Sequence, residues 1–168
     1  MIVVSNTSPL TNLAAIGRFD LLRHLYGRLH IANGVWEELN AEGKQWPSCK
    51  EAAAADWVER HAVQNQALVA ALRRDLGRGE AETIALALEL DAALVLLDER
   101  EGRHAAQQLG LNVVGVVGIL LEAKANGAVD AVRPYLDALR QIADFYLSES
   151  LHQYALTLAG ESDKKEDL

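Results

Sequence analysis

Residues 93–100 read Ala-Leu-Val-Leu-Leu-Asp-Glu-Arg, an apolar run that stops abruptly at an acid. A strand with one face in water alternates apolar and polar residues, so an uninterrupted run predicts a strand covered on both faces, as in a parallel sheet. Asp98 then stands at that strand's carboxyl end, where open α/β sheets bind their ligands. The same acid also suits the N-cap of the helix expected over Gly102–Leu109, where it would accept backbone N–H groups.

The pattern recurs on both sides. Downstream, Asn112–Val116 repeats the strand pattern, followed by a helix to Ala125 and a stop at Asn126-Gly127. Upstream, Ile2–Ser5 is a β-branched strand leading into Asn6-Thr7-Ser8-Pro9, with Pro9 suited to a helix's first turn. Leu10–Tyr26 carries apolar residues at helical spacing, broken near Gly17-Arg18, which predicts two short helices or a kinked one. Leu29–Ala32 reads as a strand and Val35–Leu39 as the start of a helix that ends in the polar stretch Gly43–Pro47. An Ala-rich helix is expected near Cys49–Asp56, and an edge strand around Trp57–Val63. Gln66–Leu76 is helical by composition, Gly77 and Gly79 break it, and Glu80–Leu90 restarts as a helix with Glu80 and Glu82 in its first turn.

Strands and helices alternating at these intervals indicate an α/β protein with a central, mostly parallel sheet and helices on both faces. Two further helical patterns follow, Val129–Ala143 with Pro134 near its start and Ser150–Ala159 with Gln153 placed for a capping box. No repeat or linker divides the chain, so residues 1–160 are expected to form one domain and the charged tail, residues 161–168, to fray.

The chain has 168 residues, half of them hydrophobic, with 16 Lys and Arg against 24 Asp and Glu and a net charge of -8. That balance argues against gripping nucleic acid by bulk charge; a polyanion would have to be held locally or through bound cations. A single cysteine, Cys49, excludes an internal disulfide and a CxxC metal site, and points to a reducing compartment. MIVVSNTSP lacks the basic and apolar regions of an export signal, and the most apolar segment, Val113–Leu121, is too short to span a membrane. The expected location is the cytoplasm.

Asn6, Glu38, Glu80 or Glu82, and Asp98 all fall at strand exits or near helix starts, so a parallel sheet can bring them to one edge. Carboxylates gathered in one pocket repel each other, and a divalent cation with hard oxygen ligands relieves that repulsion. One or two such ions, Mg2+ or Mn2+, can activate a water and stabilise charge on a phosphate, which is the chemistry of phosphodiester hydrolysis. Glu80 and Glu82 also suit the positive end of a helix without any metal. Glu37 and Glu38 are adjacent on a helix and point in different directions, so one at most faces a shared site.

Positive charge flanks two of these segments: Arg73, Arg74 and Arg78 precede Glu80, and Arg100, Arg103 and His104 follow Asp98. An RNA backbone passing the acids would meet them, though solvated helix faces have the same composition. The five histidines, His24, His30, His61, His104 and His152, show no HxxxH pair, and there is no Walker loop, GxGxxG or nucleophile elbow.

The ordered segments VVSNTSPL, VWEEL, GEAETIALALEL, LVLLDEREGRHAAQQLGL and VGILLEAKANG, with the tail DFYLSESLHQYALTLAGE, resemble the PIN-domain family over about Ile2–Gly160. The GEAE segment and the LLDER strand end are similar to its bacterial VapC-like branch. The resemblance implies a three-layer α/β/α fold with additional C-terminal helices, metal-dependent RNA cleavage, an RNA substrate, a small antitoxin as partner and a homodimer. It places catalytic and metal-binding acids at Glu38, at Glu80 with Glu82 close by, and at Asp98, and it sets Asn6 where the family usually has its first aspartate. Thr7 and Ser8 beside it, with Arg100 and Arg103, would position substrate or phosphate; Ser8 equally suits capping a helix that starts at Pro9. An amide oxygen ligates a metal without adding charge, so Asn6 implies weaker metal affinity. The alternative that follows is a catalytically weak or inactive PIN-fold module that binds an antitoxin or RNA.

Overall fold

The computed structural model describes residues 1–41, 54–143 and 145–162. The stretch Gly43–Pro47, Cys49 and most of the helix expected near Cys49–Asp56 lie outside the described residues.

Five strands form one sheet: β1 (Val3–Ser5), β2 (Leu29–Ala32), β3 (Val58–His61), β4 (Leu94–Leu96) and β5 (Val113–Val114). Their order is β3-β2-β1-β4-β5, and every pairing is parallel. Nine helices are seen among the described residues: α1 (Thr7–Ala15), α2 (Asp20–Tyr26), α3 (Asn33–Leu39), α4 (Gln66–Leu72), α5 (Arg78–Glu89), α6 (Arg100–Gln108), α7 (Val116–Ala125), α8 (Arg133–Gln141) and α9 (Glu149–Leu158).

The uninterrupted apolar strands are buried on both faces, and alternate residues feed two separate cores. Val3, Ile31 and Leu96 pack with α1, α2, α3 and α7–α9, whereas Val4, Ala32, Val95 and Leu97 pack with α4–α6. This is a three-layer α/β/α architecture. The strand order reverses between β1 and β4, and open parallel sheets bind ligands in the crevice at such a reversal. Two backbone bonds carry the ladder beyond the strands proper, from Asn6 N–H to the Leu96 carbonyl (2.9 Å) and from Leu97 N–H to the Val114 carbonyl (3.0 Å). Asn6 and Asp98 are thereby held at adjacent strand exits.

The ends of several helices differ from expectation. α1 begins at Thr7 with Asn6 as its N-cap, and Pro9 still fits because first-turn N–H groups need no helical partner. Ser8 does not cap it. Ser148 rather than Ser150 caps α9, its hydroxyl accepting from Leu151 N–H at 3.1 Å, while the Gln153 side chain donates to Glu149. Among the described residues, no helix is long and apolar enough to cross a membrane.

Candidate active site

The exit of β1 opens on a cavity of about 380 Å3 lined by Asn6, Thr7, Ser8, Thr11, Asn12, Glu38, Gly77, Glu80, Glu99 and Ala143. Each wall has a local cause. Ser8, Thr11 and Asn12 lie three and four residues apart, so they share the face of α1 opposite its buried Leu10, Leu13 and Ala14. α3 packs on α5, and glycines let the two helices meet closely. A Cβ on Gly79 would lie 2.4 Å from a Glu38 carboxylate oxygen, so the absent side chain is what leaves room for that acid.

The other acids rest on glycines in the same way. A Cβ on Gly102 would stand 2.7 Å from Glu80 Oε2, one on Gly115 would stand 2.7 Å from Asp98 Oδ1, and one on Gly34 would stand 2.1 Å from Glu82 Oε2. Glu38, Glu80, Asp98 and Glu82 are therefore held at places where the backbone carries no side chain.

Of Glu37 and Glu38, only Glu38 lines the cavity. Glu37 is exposed and ion-paired with Arg78 Nη1, whereas Glu38 faces the cavity and accepts from the Thr7 hydroxyl. Glu82 is buried elsewhere, its Oε2 lying 2.9 Å from Arg78 Nε. That approach is not aligned as a hydrogen bond and leaves the oxygen without one. Glu82 does not line the cavity.

Glu99, the neighbour of Asp98, was not among the residues expected in the site, yet it lines the cavity. It accepts from Asn6 Nδ2 at 3.3 Å and from the Ser8 hydroxyl. Its only signal in the sequence is adjacency to Asp98. Thr11 and Asn12 did have one, the polar row that begins at Ser8.

Asp98 sits beside this group. Its Oδ1 accepts from Val116 N–H at 2.8 Å, so it anchors the start of α7 rather than capping the helix that follows it, whose N-cap is Glu99. Its Oδ2 is buried with no hydrogen bond of good geometry. Asp98 also lines a larger cleft, about 1090 Å3, together with Arg100, Arg103 and His104.

The electrostatics follow from this crowding. Burial, then the charges of Glu99, Glu38 and Glu101, push Glu80 up to about 7. Burial pushes Asp98 up to about 6, opposed first by the Val116 hydrogen bond, with Glu99 adding to the rise and Arg103 and Asn12 favouring the charged form. Asn6 is 3% exposed, and its Oδ1 has no hydrogen-bond partner. Among the described residues, three His or carboxylate ligand atoms converge within 4.8 Å only at His30, Glu59 and His61, away from these acids.

A doubly wound parallel sheet with acids gathered at its switch point defines the class of α/β enzymes that work on ligands held at strand ends. Residues 2–161 match the profile of DUF3368, a PIN domain, and the chain belongs to that family. The PIN domain is a nuclease fold, which makes hydrolysis of a nucleic-acid backbone the coarse activity. No curated protein matches the chain.

Proposed function

We propose that the protein is an endoribonuclease dependent on Mg2+ or Mn2+, acting in the cytoplasm as the VapC-like toxin of a toxin–antitoxin pair. The observation that carries this reading is the switch-point cavity, where Glu38, Glu80 and Glu99 face one space beside Asn6.

A hard cation fits the residues present. The donors are all oxygens, Asn6 Oδ1 and Asp98 Oδ2 are buried with no hydrogen bond of good geometry, and burial, with the added charges of Glu99, Glu38 and Glu101, raises the affinity of Glu80 for a proton. Asn6, Glu38 and Glu80 in the cavity, with Asp98 beside it, would hold the ion. When bound, it supplies an activated water and positive charge against the phosphate oxygens.

The remaining chemistry belongs to the chain. Glu99 restores beside Asn6 the negative charge that an amide lacks. The Thr7 and Ser8 hydroxyls orient the Glu38 and Glu99 carboxylates. Arg100 and Arg103, on the cleft next to Asp98, hold the phosphates of an RNA strand, a local grip that suits a chain of net charge -8. Glu82, held by Arg78, is left out of the ligand set.

An antitoxin and a second copy of the chain are the protein partners of this reading. Leu151, Tyr154 and Leu158 form an exposed apolar row on α9, with exposed Tyr146 just before it, a surface suited to a protein partner.

One observation favours a second reading, a catalytically weak module that binds antitoxin or RNA: the Asn6 amide donates to Glu99 and brings no charge of its own. RNA cleavage by purified protein with Mn2+ separates the two. The nuclease reading expects cleavage that needs the metal and falls by at least about 100-fold in Asp98→Asn. Metal-independent RNA binding with no cleavage by the wild type would favour the module, and full cleavage by Asp98→Asn would remove Asp98 from the mechanism.

A further inference from the structure

The β3 end of the sheet carries a second group of potential ligands with different chemistry. The register sets β2 beside β3 with His30 opposite Glu59 and Ala32 opposite His61. Paired residues of a parallel ladder point to the same face, as do residues two apart on one strand, so His30, Glu59 and His61 project from one face around the small Ala32. That face is the one on which Val4 and Ala32 meet α5. None of the three lines the acidic cavity.

His30 Nδ1 lies 2.8 Å from His61 Nε2. The two Glu59 oxygens divide between them, Oε2 3.7 Å from His30 Nδ1 and Oε1 3.7 Å from His61 Nε2. The side chains are 13%, 47% and 21% exposed for His30, Glu59 and His61, which holds the rings in place yet leaves an approach from solvent. Glu59 also meets Arg28 Nη1 at 3.6 Å, an exposed contact that a cation can displace at little cost.

We propose that His30, Glu59 and His61 form a binding site for a borderline-soft divalent cation of the zinc type, clamping edge strand β3 to β2. Two imidazole nitrogens and a carboxylate oxygen are ligands for Zn2+ and its first-row neighbours, whereas Mg2+ takes oxygen ligands. Three protein ligands leave a fourth position open to water. With metal–nitrogen distances of about 2.0–2.1 Å and a tetrahedral angle, the two ring nitrogens would stand about 3.4 Å apart. They need to separate by roughly half an ångström from their present contact, a movement two partly exposed side chains can make. The ion would replace the ring-to-ring hydrogen bond and bridge two strands whose side chains otherwise meet only across a sheet edge.

Calorimetric titration of the full chain with Zn2+, paired with thermal unfolding of the same samples, tests this. The wild type is expected to bind Zn2+ at this site and to unfold at a higher temperature with the ion than without it. His61→Gln and Glu59→Gln should each weaken that binding by at least about 10-fold and reduce the rise in unfolding temperature, while Glu80→Gln in the acidic cavity should leave Zn2+ binding at His30, Glu59 and His61 intact. Glu59 is half exposed, so its variant keeps the test open if His61→Gln fails to fold. Zn2+ affinity in Glu59→Gln equal to that of the wild type, loss of the binding in Glu80→Gln, or no binding by the wild type would each overturn the proposal.

Discussion

Asn6 and Glu99 are best understood as a pair. An aspartate at the exit of β1 would bring its own charge to the cavity; here the charge arrives from the exit of β4, and the amide hydrogen-bonds to it. Asn6→Asp adds a carboxylate where Glu38, Glu80 and Glu99 already repel one another. Its expected effect is to tighten Mn2+ binding by about an order of magnitude, read by calorimetry, and unchanged affinity would place Asn6 outside the ligand set. Glu80 has a consequence for stability. Its carboxyl binds a proton more tightly in the folded protein, at about 7 against an ordinary 4.5, so the metal-free protein takes up a proton on folding between those values. The cost of Glu80 is absent below the lower value, grows as pH rises, and is complete above the upper one. The unfolding temperature of metal-free protein should therefore fall from pH 5 to pH 8, and Glu80→Gln should flatten that fall.

At the scale of the elements, the contact between α3 and α5 is what turns Glu38 into the cavity. Gly79→Ala tests this, because the atom its Cβ would strike is the end of a flexible side chain. In the first turn alanine adds at most about 0.5 kcal/mol of intrinsic helix preference, so the unfolding temperature should hold while nuclease activity falls. Activity kept at the wild-type level would mean that Glu38 needs no such opening. The elements themselves were largely legible in the sequence. β2 and the end of α7 matched expectation because apolar runs and the Asn126-Gly127 stop act locally. The start of α9 was misplaced because two serines lie within reach and only backbone geometry decides which hydroxyl meets Leu151 N–H. The place of Glu38 involves Thr7 and Gly79 from other elements, and that of Glu99 involves Asn6 and Ser8 from another strand exit. Neither contact has a local signature.

The molecule as a whole keeps two kinds of ligand apart. Oxygen donors crowd the switch point between β1 and β4, while the imidazoles of His30 and His61 stand at the other end of the sheet, on β2 and the terminal strand β3. The chain's net charge of -8 makes the first group the decisive one, because acids so placed repel a phosphate backbone unless a cation stands between. Calorimetric titration of the full chain with Mn2+ at neutral pH, in wild type and Glu80→Gln, tests this most directly. The account predicts binding by the wild type that weakens by at least about 10-fold in the variant. Equal Mn2+ affinity in the two proteins would contradict it.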